Sequence, residues 1–341
     1  MSTLHIFNPS HDECLAQDSE HYCPKAVARR LEDTLHDLPR LWAHPGDSTL
    51  HLPMSGRIEE IYPPNWKEID HIAPWGWDRR IVHLLKGIGA PAALLPEEKA
   101  LAAIRQLSSR STVGLVAACA EWEIPIPGCL RPVSCFCLNV DAMQTAVSHW
   151  HGHVVLKRPW SSSGRGVLIL NGQLSDAARR FAEKSLREQG GIEVQPRLEN
   201  CGDGALEFNI NASGNAEFLG YSLFHTSNGG AYGGNWVLRQ SEMETAFLNQ
   251  QKGTHRRMNR ADLHLLTERL SRTLSEVIGK QYVGPLGVDV LFTPDGLYPL
   301  IEINLRRTMG HVALSCAARL KDNAMPRWLR IDTNGFSLVT S

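Results

Sequence analysis

Residues 287–306 read GVDVLFTPDGLYPLIEINLR, and this stretch decides the fold. VDVLF and LYPLIEIN are apolar and rich in β-branched residues, and the Pro294-Asp295-Gly296 between them is a turn signal. A two-residue Asp295-Gly296 turn pairs Phe292 with Pro299 and sets Asp289 directly opposite Glu302. Side chains alternate along a strand, so Asn304 falls on the face of Glu302. Facing carboxylates repel and weaken a sheet, so a chain that places them there has something positive to hold. Two carboxylates and an amide oxygen are hard ligands suited to Mg²⁺. A three-residue loop would shift the register by one and turn Glu302 to the other face. Read singly, either acid is a solvated charge on an exposed strand. Together, inside apolar runs and followed by Arg306, they read as a metal site.

The rest of the chain fits an enzyme of ordinary composition. It has 341 residues, 43% hydrophobic and 21% charged, which allows two or three structural units with ample core. Lys and Arg number 35 against 36 Asp and Glu, a net charge of −1, so no global field favours nucleic acid or an anionic membrane. The opening MSTLHIFNPSHDE lacks the basic-then-apolar pattern of a signal peptide, and no apolar run reaches the length of a bilayer span. The eight cysteines have neither disulfide-scaffold density nor zinc spacing. A cytoplasmic protein with reduced thiols is expected, acting on small molecules without nucleic acid or membrane; the oligomeric state stays open, a homodimer being common on base rates alone.

Along the chain, strand and helix patterns alternate and then give way to antiparallel pairs, which predicts α/β followed by α+β. LHIF at 4–7 and HIAP at 71–74 read as strands. Asp78 is placed to cap a helix through RRIVHLLKG, and Ser111 to cap TVGLVAACAEW. VVLK at 154–157 and VLIL at 167–170 are strands around the loop RPWSSSGRG. Ser175 caps DAARRFAEKSLREQ, which Gly190 closes. IEVQP, ALEFNINAS and NAEFLGYSLF are strands, HTSNGGAYGGN a mobile loop, and RADLHLLTERLSRTLSEVIG an amphipathic helix.

Lys157 ends an apolar strand, and its loop holds Ser161, Ser162, Ser163, Gly164 and Gly166. Small residues let backbone N–H groups approach phosphate oxygens, serine hydroxyls add donors, and lysine adds a point charge. The loop leads into a strand, so it is not the strand–loop–helix of a P-loop. Alone it also fits an ordinary hairpin turn. Joined to the acidic hairpin, it completes an electrostatic clamp for a triphosphate.

These segments resemble the ATP-grasp superfamily, which includes D-alanine–D-alanine ligase, glutathione synthetase and biotin carboxylase. The similarity runs from about Ser108 to Leu314. LSSRSTVGLVAACAEWEIPIP is similar to the family segment in which a basic residue, usually lysine and here Arg110, precedes a helix and a "gIPtP" strand. VVLKRPWSSSGRGV is similar to "vvKP…gsGgkGV", which matches Lys157 to an ATP lysine and Gly164 to Gly166 to the mobile loop. IEVQPRLE resembles the hinge strand "vvvEpyl": Gln195 stands where an acid often meets the adenine amino group, Arg197 and Leu198 supply backbone contacts, and Glu199 meets the ribose. GALEFNI brings Glu207 to the nucleotide. GVDVLF…PLIEINLRRTMG is similar to "g.Dvl…yvlEiNpR…g", with Leu305 for the proline. It implies Asp289, Glu302 and Asn304 as ligands of Mg²⁺ or Mn²⁺, and Arg306 at the phosphate or acyl intermediate. The implied architecture is an N-terminal pre-ATP-grasp α/β domain (1–107) followed by a two-lobed ATP-grasp domain, with a small lobe at 108–191, a C-terminal lobe at 192–330 and a tail at 331–341.

The implied activity is an ADP-forming ligase that joins a carboxylate to an amine or thiol through an acyl phosphate, with ATP and Mg²⁺. A kinase on the same scaffold and a non-catalytic nucleotide-binding module are the alternatives. Asn8, His11 and Asp12 follow the first strand, at an edge where open α/β sheets bind ligands. Trp77 follows another strand in the same way. Tyr232 sits in the glycine-rich loop and His311 just past the metal strand. These are the substrate candidates, with turn, capping and packing roles as the competing reading.

Overall fold

The computed structural model describes residues 2–161, 166–226, 232–251, 253–320, 325–332 and 335–340. Three sheets follow one another along the chain. The first is parallel, with β1 (Thr3–Ile6) between β2 (Ser48–Leu50) and β3 (His71–Pro74). Helices α1 (His11–Gln17) and α2 (Ala26–Thr34) lie between β1 and β2, and α3 (Arg79–Gly87) follows β3. Asp78 caps α3 by accepting from the Ile81 amide, as its place before the apolar run predicts. Leu4, Ile6, Leu50, Ile72, Ile81 and Leu85 form the core of this unit. Then come α4 (Glu98–Leu107) and α5 (Ser111–Ala117). Ser111 is not a cap but the first residue of α5. The helix also stops earlier than its pattern predicts, and Ala120–Glu123 form a separate 3-10 turn. Gly114 in its interior weakens helical propagation.

The second sheet is antiparallel. It consists of β4 (Cys135–Cys137), β5 (His153–Lys157), β6 (Val167–Asn171) and β7 (Ile192–Pro196), in the order β4-β7-β5-β6. Helices α6 (Val140–His149) and α7 (Asp176–Gln189) cover one face, where Met143, Val147, Ala178 and Ala182 meet Val154, Leu156, Ile192 and Val194. Strand alternation therefore turns Lys157, Glu193 and Gln195 to the opposite face. Ser175 caps α7, and Gly190, at φ +75°, ends it.

The third sheet is the largest. Its strands are β8 (Gly202–Ile210), β9 (Ala216–Thr226), β10 (Tyr232–Val237), β11 (Gly284–Thr293), β12 (Gly296–Asn304), β13 (Arg327–Asp332) and β14 (Gly335–Thr340), in the order β12-β11-β8-β9-β10-β13-β14. Helices α8 (Gln240–Asn249) and α9 (Arg260–Val277) pack on one face, where Phe247, Leu263, Leu266 and Leu270 meet Leu206, Phe208, Val288 and Phe292. On the other face lies α10 (Met309–Ala317), whose Val312, Ala313 and Cys316 pack against Phe7, Leu38 and Trp75 of the first unit. Two expectations are corrected. Tyr232 to Asn235, read as part of a mobile loop, begin strand β10, while residues 227–231 lie outside the described residues. Residues 335–340, read as a tail, form a strand paired with β13.

The decisive hairpin forms with a different turn from the one expected. Thr293 pairs with Gly296, so the loop is Pro294-Asp295, and Phe292 pairs with Leu297 rather than Pro299. The register then shifts: Leu291 faces Tyr298, but Asp289 faces Glu302. Pro299, Leu300 and Ile301 bulge out opposite Val290 alone. Proline has no N–H to give the ladder, so the break falls where pairing cannot continue. The bulge restores the pairing that the sequence predicts for the carboxylates, by a route that the sequence did not suggest.

Candidate functional site

Three adjacent strands carry two rungs of side chains on one face of the large sheet. Glu207, Gly287 and Asn304 form one rung, and Ala205, Asp289 and Glu302 the next. Glycine at the centre of the first rung keeps space open: a Cβ on Gly287 would lie 2.7 Å from Glu207 Oε2. Glu207 is buried, and its Oε2 accepts from the Thr308 hydroxyl at 2.8 Å. Its Oε1 is buried without a hydrogen-bond partner among the described residues. The pKa of Asp289 is raised well above the usual range, first by burial and then by the charges of Glu302 and Glu207. A face with three acids, an amide oxygen, mutual repulsion and an orphaned carboxylate oxygen fits a hard divalent cation.

A cation from the second sheet and one from the start of α5 reach the same place. Lys157 is buried, and its Nζ donates to Gln195 Oε1 at 2.5 Å and to the Ile301 carbonyl at 3.1 Å. Gln195 Nε2 also donates to that carbonyl, at 3.3 Å. The bulge releases the Ile301 carbonyl from the ladder, and the two side chains take it up. Burial lowers the Lys157 pKa, against the pull of the Glu193 charge. Arg110 is buried and joins three parts of the site. Its guanidinium donates to Ser161 Oγ at 2.7 Å, to the Arg158 carbonyl, and to Glu302 Oε1 at 2.8 Å. Burial opposes its charge, but Glu302 and Glu193 outweigh that and raise its pKa.

Glu193 was missed in the sequence. It is fully buried on β7 and accepts from Ser134 Oγ at 2.7 Å and Gln195 Nε2 at 3.1 Å, while its Oε2 has no hydrogen-bond partner among the described residues and lies 4.0 Å from Arg110 Nε. Burial raises its pKa, while Lys157 and Arg110 pull it back. The only available signal was the alternation that places it two residues before Gln195. Asp12, read with Asn8 and His11 as a substrate candidate, lies in the first turn of α1 and instead binds Arg306, whose Nη2 donates to Asp12 Oδ2 at 2.9 Å and to Asn304 Oδ1 at 3.0 Å. Burial alone would raise the Asp12 pKa, but Arg306 outweighs it and the net shift is downward.

The remaining candidates divide. Gly166 has φ +73°, and its carbonyl accepts from the Arg158 amide at 2.8 Å, closing the base of the loop. Ser162, Ser163 and Gly164 lie outside the described residues. The Arg197 amide is already given to the His153 carbonyl at 2.9 Å, so it is not available as a nucleotide contact. Glu199 is exposed and Leu198 half-buried at the end of β7. Asn8 is corrected: it is buried, and its amide donates to the Gly76 carbonyl at 2.8 Å and to Asp78 at 3.1 Å, because a buried amide must find partners. His11 is buried with Nδ1 3.3 Å from the same carboxylate, and its ring fills the space over Gly76. Trp77 packs between the cores of the first unit and the large sheet. Tyr232 hydrogen-bonds Asn235 within β10. His311 is corrected as well. It completes the capping box of α10 with Thr308, and its Nε2 meets the Phe208 carbonyl at 3.0 Å.

No family model matches the chain, and no curated protein sequence matches it. Among solved structures, the D-cycloserine synthetase DcsG superposes with a TM-score of 0.51 at 12% identity, over 94% of this chain and 100% of that one. The N5-carboxyaminoimidazole synthetase of Staphylococcus aureus, complexed with ADP, gives 0.49 at 11% identity, over 96% and 81%. The biotin carboxylase domain of the Hydrogenobacter thermophilus 2-oxoglutarate carboxylase, in complex with MgADP and bicarbonate, gives 0.47 at 15% identity. That match covers 77% of this chain but 65% of the other, so the chain spans less than two thirds of that domain. At such identities the likeness is one of fold, and it is the fold that the motifs resemble: the chain has an ATP-grasp fold.

Proposed function

We propose that the protein is an ATP-dependent ligase that joins a carboxylate to an amine or thiol and releases ADP and phosphate. The observation that carries this reading is the convergence of Lys157, from the second sheet, and Arg110, at the start of α5, on the Asp289, Glu302 and Asn304 face of the large sheet. The fold shared with a D-cycloserine synthetase supports it. In this reading residues 1–107 form the substrate side, and 108–191 and 192–330 are the two lobes around ATP. Asp289, Glu302 and Asn304 hold Mg²⁺, which when bound offsets the charge of the β- and γ-phosphates. Lys157 and Arg110 neutralise phosphate oxygens, with Arg110 exchanging Glu302 for phosphate. Gln195 and the chain through Leu198 and Glu199 hold the nucleoside. A substrate carboxylate oxygen attacks the γ-phosphorus, ADP leaves, and an amine or thiolate then displaces phosphate from the acyl carbon. Arg306 stabilises the charge that develops on the acyl oxygen. Catalysis here is positioning and electrostatics, and no side-chain nucleophile is required.

The test is the melting temperature with ATP, with and without Mg²⁺, for the parent and for Asp289→Asn. Ligand at about a hundred times its dissociation constant stabilises a fold by roughly 2.7 kcal/mol. A Mg²⁺-dependent rise in the parent that Asp289→Asn loses is the expected result, followed by ADP release only when both co-substrates are present. Formation of AMP and pyrophosphate would rule out the acyl-phosphate route.

A further inference from the structure

Arg307 is the site arginine that the mechanism leaves unused. Its neighbours are paired: Arg110 holds Glu302, and Arg306 holds Asp12. The Arg307 guanidinium has no carboxylate or carbonyl partner among the described residues. It lies instead over the indole of Trp42, with Cζ 4.7 Å from the ring centroid. Its backbone amide donates to the Trp75 carbonyl at 2.9 Å. Main chain and side chain of Arg307 are thus both held by the N-terminal unit, although the residue belongs to the segment that leaves β12.

The platform under it is built. Trp42 Nε1 donates to His5 Nδ1 at 3.3 Å, and His5 Nε2 meets Asp47 Oδ2 at 3.1 Å. Asp47 in turn accepts from the backbone amides of Thr3 and His44, at 2.9 and 2.8 Å. This relay fixes the rotation of the indole. The indole stands edge-on to His5, at 84°, and tilted against Trp75. Trp75 is buried in the core shared with α10. A guanidinium stacked on such a ring keeps its N–H donors in its own plane, in the fork that matches a carboxylate. The stack satisfies none of these donors, and a half-buried charged donor set left unpaired is costly. Burial pulls the Arg307 pKa down to about 10, so the group remains charged at neutral pH. Tyr282 and the Glu207 charge pull the other way, and Arg307 lies three residues beyond Asn304, the last residue of β12.

We infer that Arg307, stacked on Trp42 at the junction of the N-terminal unit and the large sheet, binds a carboxylate of the small-molecule acid substrate. This deepens the ligase reading and rests on it for the word substrate, but anion binding at Arg307 is measurable by itself. The acid so held would enter between the first unit and the metal rungs, with Arg306 one residue away.

The test titrates acetate, glycine, β-alanine, succinate and inorganic phosphate against the whole protein, following melting temperature and heat of binding, with and without Mg–ATP. At least one carboxylate should stabilise the parent. Arg307→Gln should weaken that ligand about tenfold to a hundredfold, the value of a charged hydrogen-bonded pair. Arg307→Lys, which keeps the charge but loses the fork, should fall between them, and Trp42→Leu should weaken binding with the arginine intact. The Mg–ATP response should persist in all three. On the parent itself, the amide of the effective acid should not bind, which keeps the test decisive if a variant fails to fold. The inference is overturned if no carboxylate binds the parent, if only phosphate does, or if Arg307→Gln binds the acid unchanged. Loss of the Mg–ATP response in the parent, with carboxylate binding intact, would instead overturn the nucleotide reading and leave Arg307 as an anion site.

Discussion

Arg110, at the start of α5, and Glu302, on β12, stand 192 residues apart and form an ion pair at 2.8 Å. The pair ties the base of the Gly/Ser loop, through Ser161, to the strand that carries the metal-type residues. In the proposed reading these are the cation and the anion that would each meet a part of Mg–ATP. Arg110→Met leaves Glu302 and the buried Glu193 without this partner. The expected cost is about 1–3 kcal/mol in urea unfolding, the range for an unsatisfied buried group. Glu302→Gln should cost less, because Arg110 keeps Ser161 and the Arg158 carbonyl, and both variants should lose the Mg–ATP stabilisation.

Asp289 should show the opposite balance of stability and function. It sits directly opposite Glu302, and like charges in that position destabilise a sheet. Asp289→Asn is expected to stabilise the ligand-free protein by about 0.2–1 kcal/mol while abolishing its response to Mg²⁺. Denaturant titrations with Mg²⁺ and with a chelator measure both effects. Loss of stability without the metal would argue against carboxylate repulsion.

Gly310 is a steric sensor for Glu207. A Cβ there would lie 1.8 Å from Glu207 Oε1, which is buried and cannot retreat to solvent. Gly310→Ala should therefore destabilise by about 1–3 kcal/mol, as overpacking does. Glu207→Gln in the same background does not shrink the clash, so it should not rescue stability.

His5 gives the pH dependence a sign. Burial lowers its pKa below the usual histidine value, although Asp47 pulls the other way. The folded state therefore holds neutral imidazole at pH values where the unfolded chain is already protonated. Its contribution is fully present above the unfolded value near 6.5 and is lost as pH falls toward the folded pKa, with a slope of at most about 1.4 kcal/mol per pH unit. Melting temperatures from pH 8 to pH 5 should decline, and His5→Gln should flatten that decline. An unchanged slope in the variant would assign it to other groups.

Much of the fold was legible because its signals are local. Asp78, Ser175 and Gly190 end helices by bonds that span a few residues, and their sequence positions carry that information. Helix α9 follows its leucine spacing, although its capping box, Asn259 with Asp262, went unread. Helices α1 and α6 and the last hairpin were not read from the sequence; α6 gains its stability by packing on β4, β7 and α7 of its own unit, contacts that its local pattern does not announce.

By itself, the sequence determined that Asp289, Glu302 and Asn304 share one face of a hairpin, since alternation and pairing follow from residue types a few positions apart. Even there, tertiary context chose the turn at Pro294-Asp295 and the bulge at Pro299. Only the tertiary structure decided what the carboxylates face. Arg110 on Glu302, Asp12 on Arg306, Lys157 on the bulged Ile301 carbonyl and Trp42 under Arg307 join residues far apart in the chain and on separate elements. Their approach is set by the burial of α10 against Phe7, Leu38 and Trp75 and by the closure of the second sheet on the third. Local propensity does not encode such contacts, because hydrophobic burial is non-directional and fixes only which surfaces meet.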